Sequence, residues 1–425
     1  MITRLASLVL RLSSALLLAA SVTAAAPFTD AETVFKALDD GDVATLRKFA
    51  PAKLLEIIRA GRPVNGSETG ELRWTIVDPY ERETGLYVIV PAGYDKSKPA
   101  GVLLVLHGLR GDGKQLKDNL YRKFAADHNL IIAAPTAQKE PKDSENEDWD
   151  KISGSQMPHW WSYKPGNFPL TALSELKKKY AIDGNRVILT GYSMGGFGTW
   201  NIGLRYPDRF AAIVPFAGGL SRREYLAPKK GDPKMRALVE NAFNLPVYFV
   251  HGNADDVVPV GFDRKTRDQL KAFGYAHEYV EVDKAKHIMD VREGGEIMNK
   301  IQEWLAPKKR DAHPKKVVHY AIGAYAASSY WLRIDEISGE EGTARVEAEI
   351  RDGNVVELKA AGARKVTVFL DEKHVDLARP VKVACGGKEL FAGPATESVE
   401  AVLESWKQRE DRELVYRAKV TVTIP

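Results

Sequence analysis

The sequence predicts an α/β fold, a doubly wound and mostly parallel sheet, with a small helical segment before it and a β-sandwich-like domain after it. Three observations support this prediction. Short apolar runs alternate with helical patterns between residues 72 and 307. Period-2 alternation replaces them after a stretch rich in Lys and Pro at 308–316. A glycine-rich turn, Gly191–Gly196, joins one apolar run to a helical pattern.

The composition bounds the class of protein. With 425 residues the chain is long enough for two or three domains, and 44% hydrophobic with 28% charged residues is typical of a globular protein. A formal net charge of +4 is small for this length, so it does not indicate nucleic acid or an anionic membrane as a partner. The single cysteine, Cys385, excludes an intramolecular disulfide and a metal site built on several cysteines. We expect no metal and no cofactor.

The first 26 residues have the pattern of a signal peptide. Arg4 and Arg11 supply positive charge, Leu16–Ala20 forms an apolar centre, and Ala24–Ala26 offers a cleavage site. A membrane anchor is the alternative, but the apolar stretch is short for one, and no other segment reaches transmembrane length. The sequence therefore predicts an exported protein, periplasmic or secreted, with no integral membrane segment.

The chain then divides into three predicted units. Residues 27–63 read as short helices, with Asp42 able to cap the second. Residues 72–307 form the α/β unit, which opens with an antiparallel pair, Leu72–Val77 and Thr84–Val90. The later predicted strands are Gly101–Leu106, Leu130–Ala134, Val187–Thr190, Ala211–Phe216, Val247–Val250 and Glu278–Val282. The predicted helices between them are Gln115–His128, Thr171–Tyr180, Lys234–Phe243, Asp263–Phe273 and Glu296–Leu305. Right-handed crossovers would place the loops that follow the strands at one rim.

The basic run at 308–316 is predicted to be a solvent-exposed linker. The final unit, 317–425, alternates with period 2, and Val399–Arg409 is predicted to be a helix with Ser398 as its cap. Trp331 alternates like a core residue of this unit. Carbohydrate binding by this unit is the alternative to a purely structural role.

The turn Gly191-Tyr192-Ser193-Met194-Gly195 has the G-x-S-x-G spacing of a nucleophile elbow. Gly191 and Gly195 are needed because the strand and the helix crowd both positions. The turn would hold the Ser193 hydroxyl above the sheet in a backbone conformation that is usually avoided. Ser193 is therefore the predicted nucleophile.

A serine nucleophile needs a base and a carboxylate that orients the base, and in this topology the order along the chain is Ser, Asp, His. Asp255 follows the predicted strand Val247–Val250 and is the predicted acid, with Asp256 as the competing choice. His287 follows the strand Glu278–Val282 and is the predicted base.

The oxyanion formed during acyl transfer needs two donors. We expect the amides of Met194, directly after the nucleophile, and of Leu109, in a glycine-containing loop after an earlier strand. His107 in that loop is predicted to be structural. Gly108–Lys114 also matches a phosphate-binding loop, but Gln115 replaces the Ser or Thr that would bind magnesium.

Together, Leu106–Gly113, Gly191–Gly196, His251–Pro259 and His287 resemble the α/β-hydrolase superfamily over roughly residues 72–307. Within it, the chain looks like the secreted carboxylesterases related to polyhydroxybutyrate depolymerases and to feruloyl and acetylxylan esterases. The resemblance implies an ester substrate, linked to plant polysaccharide or a polyester. Prolyl-oligopeptidase-like peptidases share these motifs and are the alternative, as is a non-enzymatic carbohydrate-binding protein. The absence of disulfides departs from typical polyester depolymerases and feruloyl esterases.

A long connection from Pro135 to Phe168 is rich in aromatic residues and would overhang the rim. Trp160 and Trp161 in it, together with Tyr192, are the predicted substrate-binding side chains, since aromatic rings stack on sugar or phenolic groups. The alternative is that the two tryptophans only pin the connection to the body of the protein.

Overall fold

The computed structural model describes residues 29–77, 81–114, 121–138, 160, 168–221, 223–224, 230–287 and 295–425. The predicted signal peptide at 1–26 and the predicted substrate-binding Trp161 lie outside the described residues.

Three short helices begin the described chain: α1 (Asp30–Asp40), α2 (Val43–Leu46) and α3 (Pro51–Ala60). Thr29 and Glu32 form a reciprocal capping box at the start of α1, which ends at Gly41 with φ of 69°. The Asp42 side chain accepts the amide of Thr45 and caps α2, as the sequence predicts.

An eight-stranded sheet forms the centre of the molecule. Its strands and helices, in chain order, are β1 (Gly70–Val77), β2 (Glu83–Val90), β3 (Ala100–Leu106), α4 (Arg122–Asp127), β4 (Leu130–Pro135), α5 (Phe168–Lys179), β5 (Ile182–Tyr192), α6 (Met194–Arg205), β6 (Ala212–Phe216), α7 (Pro233–Ala237), β7 (Val247–Gly252), α8 (Gly261–Phe273), β8 (His277–Val282) and α9 (Glu296–Leu305). The strand order is β1-β2-β4-β3-β5-β6-β7-β8. Strands β1 and β2 pair antiparallel, as predicted, β2 pairs antiparallel with β4, and every later pair is parallel.

Helices cover both faces of this sheet, which explains why β4, β6 and β7 are buried along their whole length. One face packs on α5, α6 and α8, and the other packs on α4 and α9. The predicted α/β-hydrolase fold is thus confirmed. One predicted helix is wrong in detail, because Lys234–Phe243 divides into α7 and a 3₁₀-helix, Leu238–Asn244.

The C-terminal residues form two further sheets around one core. Their elements are β9 (Lys316–Ile322), β10 (Ser328–Ser329), β11 (Leu332–Ile337), β12 (Thr343–Arg351), β13 (Val355–Ala361), β14 (Ala363–Leu370), β15 (Val381–Cys385), β16 (Lys388–Gly393), α10 (Val399–Arg409) and β17 (Ala418–Thr423). The sheet orders are β10-β11-β14-β17 and β16-β15-β13-β12-β9. Helix α10 has the predicted bounds, and the Ser398 hydroxyl caps it by accepting the amide of Ala401. Trp331 is fully buried in this core and donates its indole N–H to the carbonyl of Pro314.

The predicted solvent-exposed linker is wrong at Arg310. Its side chain has no exposed surface, and its guanidinium bonds the side chains of Asn185 at 2.8 Å and Asp411 at 3.1 Å. A buried guanidinium is stable only where acceptors surround it, and acceptors from the central sheet and from the C-terminal unit meet here. The linker therefore joins the two units by a buried ionic contact.

The N-terminal helices pack on the C-terminal unit, so the two ends of the described chain share one apolar cluster. Val34 and Leu54 from the N-terminal helices meet Val399 and Val402 of α10 in that cluster. Within the described ranges, no helix combines the length and the apolar character needed to cross a membrane.

Candidate active site

The predicted elbow occupies the junction between β5 and α6. Ser193 has φ of 57° and ψ of −116°, a strained conformation for a residue with a side chain. A Cβ at Gly191 would lie 2.4 Å from the carbonyl oxygen of Gly195, and a Cβ at Gly195 would lie 2.1 Å from that of Leu106. Both contacts are to backbone atoms, which cannot move aside cheaply. Only glycine fits at these two positions, as the sequence predicts.

The structure brings the three predicted catalytic side chains together. Nε2 of His287 lies 2.8 Å from Oγ of Ser193, and Nδ1 of His287 lies 2.8 Å from Oδ2 of Asp255. The three residues are separated by 94 and 32 positions along the chain, so the parallel sheet is what makes them meet. The orientation suits a base that takes the Ser193 proton on Nε2 while Asp255 holds the proton on Nδ1.

Asp255, not its neighbour Asp256, faces the imidazole. The Asp255 side chain is fully buried, and its Oδ1 accepts the amides of Val257 at 2.9 Å and Val258 at 2.8 Å. Burial opposes the charge, but the hydrogen bonds to His251, His287 and these amides outweigh it and hold the pKa of Asp255 well below its usual range. The side chain of Asp256 is 60% exposed and lies 3.8 Å from Lys286. The structure therefore separates the two aspartates that the sequence leaves open.

The loops that carry Asp255 and His287 are tied to each other. The amide of Ala254 donates to the carbonyl of Ala285 at 3.0 Å, and the side chain of Asn253 accepts the amide of Lys284 at 2.7 Å. A Cβ at Gly252 would lie 2.3 Å from the carbonyl oxygen of Ala285. These contacts fix the acid and the base relative to each other.

Met194 directly follows Ser193, and the loop that carries Leu109 lies against the elbow. Met194 is the first residue of α6, so its amide has no acceptor within the helix. Gly108 packs against the elbow, where a Cβ would lie 3.9 Å from Cβ of Ser193, which places the Leu109 loop beside the nucleophile. The hydrogen bond from the amide of Gly111 to the carbonyl of Gly108 closes this turn without using the Leu109 amide.

His107 has the structural position that the sequence predicts. Its Nε2 accepts the amide of Ala137 at 3.0 Å, and its Nδ1 donates to the carbonyl of Gly108 at 2.7 Å. Burial lowers the pKa of His107, which agrees with a neutral ring holding two backbone groups.

The predicted role of Trp160 in substrate binding is wrong for this structure. Trp160 is 2% exposed, donates its indole N–H to the carbonyl of His107 at 2.9 Å and covers Gly198 of α6. It is the pin that the sequence leaves as the alternative. Tyr192 is half-buried and donates its hydroxyl to the carbonyl of His287, while burial raises its pKa to about 12. The hydroxyl thus contacts the loop that carries His287, and a role of Tyr192 in substrate binding stays a prediction.

Two polar residues that lie next to Asp255 in the structure, His251 and Asp263, have no predicted role in the sequence. His251 lies near the end of β7, and its Nδ1 lies 2.8 Å from Oδ2 of Asp263, on α8. Its Nε2 lies 2.9 Å from the carbonyl oxygen of Val258 and 3.3 Å from Oδ2 of Asp255. The side chains of His251 and Asp263 are fully buried. His251 lies at the end of an apolar strand, directly before the loop that carries Asp255. A histidine at such a buried position needs hydrogen-bond partners, and this is the sequence signal that could have identified it.

One group of potential metal ligands occurs in the described part of the chain, away from the triad: His313, Asp371 and His374. The Asp371 carboxylate is paired with Arg59, and Nε2 of His313 lies 2.9 Å from the ammonium of Lys373. The positive charges of Arg59 and Lys373 beside this group disfavour a further cation there.

Comparison with known proteins agrees with this site. Residues 91–306, just over half of the chain, match the phospholipase/carboxylesterase family. A bifunctional acetylxylan esterase/xylanase of Neocallimastix patriciarum is 28% identical over 46% of this chain, and an uncharacterized secreted protein of Arthroderma benhamiae is 29% identical over 45%. A dipeptidyl-peptidase 5 of Porphyromonas gingivalis is 29% identical over 31% of the chain. The chain spans only 26%, 22% and 19% of the lengths of these three relatives.

The family match covers the elbow, the acid and the base in one continuous segment, and the sheet order provides the rim at which they meet. The chain belongs to the phospholipase/carboxylesterase family of α/β-hydrolases.

Proposed function

We propose that this protein is a serine carboxylesterase that works through Ser193, His287 and Asp255. The observation that supports this most directly is the unbroken line of two 2.8 Å contacts from the Asp255 carboxylate through His287 to the Ser193 hydroxyl. A hydroxyl, an imidazole and a buried carboxylate in this arrangement are suited to acyl transfer.

In the proposed reaction, Oγ of Ser193 attacks the ester carbonyl while Nε2 of His287 takes its proton. The amides of Met194 and Leu109 hold the oxyanion, whose charge is also stabilised by the N-terminus of α6. His287 then returns the proton to the leaving alcohol, and water hydrolyses the acyl-enzyme by the reverse sequence. Asp255 keeps Nδ1 of His287 protonated throughout, and the steps require no further group.

For the substrate, we propose an ester carried on plant polysaccharide, with an acetyl group as the first candidate. The relative named as an acetylxylan esterase supports an acetyl ester on xylan. We further propose that residues 1–26 direct export and are removed, and that the units follow residues 27–63, 72–307, 308–316 and 317–425. The relative named as a secreted protein supports export.

The direct test is hydrolysis of p-nitrophenyl acetate by the purified protein and by Ser193→Ala. We expect kcat to fall by about three or more orders of magnitude in the variant. Ser221→Ala is the matched control, because Ser221 is buried and bonds Asp232 and the amide of Glu224, away from the triad. Equal hydrolysis by Ser193→Ala and wild type, with no fluorophosphonate labelling of Ser193, contradicts the proposal.

A peptidase is the second candidate, favoured by the relative named as a dipeptidyl-peptidase. The same triad can cleave both bonds, so the substrate decides. We expect kcat/KM for acetylated xylan and p-nitrophenyl acetate to exceed that for matched dipeptide p-nitroanilides. The reverse order assigns the protein to the peptidases.

A further inference from the structure

The hydrogen-bond partners of His251 determine how many protons its ring carries. Nδ1 faces the Asp263 carboxylate at 2.8 Å and Nε2 faces the carbonyl of Val258 at 2.9 Å, with Asp255 at 3.3 Å. A carbonyl oxygen only accepts hydrogen bonds, so Nε2 donates, and Nδ1 donates as well when the Asp263 carboxyl is ionised. An imidazole that donates from both nitrogens is an imidazolium. In the fully buried setting of His251, Asp263 is the counter-charge.

We propose that His251 is a positioning residue for the triad: as a buried imidazolium held by Asp263, it fixes Asp255 and moderates the pull of that carboxylate on His287. This inference rests on the proposed function. It concerns how the base is kept free to accept a proton, which the triad distances alone do not explain.

The two imidazoles share one carboxylate oxygen. Oδ2 of Asp255 lies 2.8 Å from Nδ1 of His287 and 3.3 Å from Nε2 of His251. A positive charge this close to Oδ2 offsets part of the carboxylate's charge and repels a second positive charge on His287. Without it, Asp255 would hold a protonated His287 more tightly, and a larger share of the enzyme would lack a base at mildly acidic pH.

Burial raises the pKa of Asp263, whereas its hydrogen bonds to His251 and Trp200 and the charge of Arg236 oppose that rise and favour the charge-separated pair. Burial disfavours a charge on His251, but the hydrogen bonds to Asp255 and Asp263 outweigh burial and raise the pKa of His251 to about 10. Oδ1 of Asp263 also accepts the indole N–H of Trp200 at 3.1 Å, which stabilises the carboxylate form. The other titratable groups facing the pair are Arg236 of α7, which favours an ionised Asp263, and Tyr279 of β8. Tyr192 and His287 face Asp255 from the rim.

The variant Asp263→Asn tests this without touching the triad. The substituted amide can keep the Trp200 bond with its oxygen and donate its NH₂ group to Nδ1 of His251, which then becomes a neutral ring with every bond satisfied. The variant would thus remove the positive charge near His287 together with the negative charge behind it. We expect the acidic limb of the kcat/KM profile for p-nitrophenyl acetate to move up by about one pH unit, with the plateau within a few fold of wild type.

The direction of that shift separates the proposal from simpler explanations. If His251 were neutral already, removing the Asp263 charge would move the limb down or not at all, because a carboxylate attracts a proton to His287. A purely structural role would lower the plateau without moving the limb. Asp268→Asn is the matched control, since Asp268 lies on the same helix as Asp263 but is exposed and bonds its neighbour Arg267, and we expect no upward shift.

Nuclear magnetic resonance of the nine histidine side chains gives a second readout that does not depend on activity. The signal of the His251 ring is assigned as the one that is lost in His251→Gln. In the Ser193→Ala protein, we expect this ring to carry a proton on both nitrogens at pH 8. A neutral His251 ring overturns the inference, even if Asp263→Asn fails to fold. An acidic limb of the kcat/KM profile that stays in place or moves down in Asp263→Asn overturns it as well. If Ser193→Ala keeps full activity and Ser193 is not labelled, the proposed function fails instead, while the ring protonation is still measured.

Discussion

Replacing Asp255 with asparagine is the strictest test of how the base is oriented, because the Asp255 carboxylate is the acceptor in four contacts. Oδ1 accepts the amides of Val257 and Val258 at 2.9 and 2.8 Å, and Oδ2 faces the ring N–H groups of His287 and His251. An asparagine has one oxygen. If that oxygen keeps the two backbone amides, its NH₂ group faces two N–H donors.

The consequence is a change of tautomer at the base. His287 can accept from the new NH₂ only if its proton moves from Nδ1 to Nε2, where it then faces Oγ of Ser193 as a donor. We expect kcat for p-nitrophenyl acetate to fall by about 10³- to 10⁴-fold, or roughly 4–5.5 kcal/mol in the barrier, with KM within a few fold. We also expect the free energy of unfolding to fall by about 1–3 kcal/mol, since a buried donor loses its acceptor.

The adjacent aspartate supplies the control. Asp256→Asn changes an exposed side chain that lies 3.8 Å from Lys286, and we expect activity within about twofold of wild type, as for most surface changes. Steady-state kinetics and urea unfolding of the two variants decide the matter. Asp255→Asn with more than a tenth of wild-type kcat, or Asp256→Asn with an equal loss, refutes this assignment of the acid.

Four further changes have defined outcomes. Gly195→Ala would place a Cβ 2.1 Å from the carbonyl oxygen of Leu106, so urea unfolding should show a loss of about 1–3 kcal/mol or more, whereas Gly261→Ala, with open space at its Cβ, should be neutral. Burial lowers the pKa of His319 to about 4, so the unfolded chain binds the proton first, and stability should fall by about 3 kcal/mol as the pH drops from about 6.5 to 4. His319→Gln should remove its share of that dependence in unfolding curves measured at the two pH values, while His313, whose pKa burial also lowers to about 4, keeps a share of its own. Trp160→Ala should lose about 3–5 kcal/mol of stability because the ring is buried, whereas Trp161→Ala is predicted from the sequence to raise KM more than it lowers kcat.

The proximity of Ser193, Asp255 and His287 could be predicted from the sequence because the three residues obey a local rule. Each one follows a predicted strand, and parallel strands present their following loops at one rim. Ser193 and His287 therefore need no knowledge of side-chain packing. The choice between Asp255 and Asp256 does need it, since the two differ only in which way the turn directs them.

Other features depend on packing between distant segments, which no local pattern reveals. His251 and Asp263 form a pair only because α8 crosses over the end of β7. Trp160 has the composition of a binding residue but fills the space left by Gly198. Arg310 lies in a basic run typical of exposed chain, and its acceptors come from Asn185 and Asp411, which are 125 and 101 positions away. Long-range polar pairing of this kind leaves no periodic signal.

The buried position of Arg310 limits how the protein can be cut or rearranged. Arg310 pairs with Asp411 of the C-terminal unit, and Arg409 of α10 pairs with Asp208, which precedes β6. A fragment ending before residue 308 would lose both ion pairs and leave Asp208 only the more distant Arg209, 3.7 Å away. Differential scanning calorimetry of the whole chain should accordingly give one heat-absorption peak rather than two. To obtain a smaller catalyst, the buried ion pairs between the central sheet and the C-terminal unit should be replaced by apolar side chains, because deleting the C-terminal unit alone would leave buried charges without these partners.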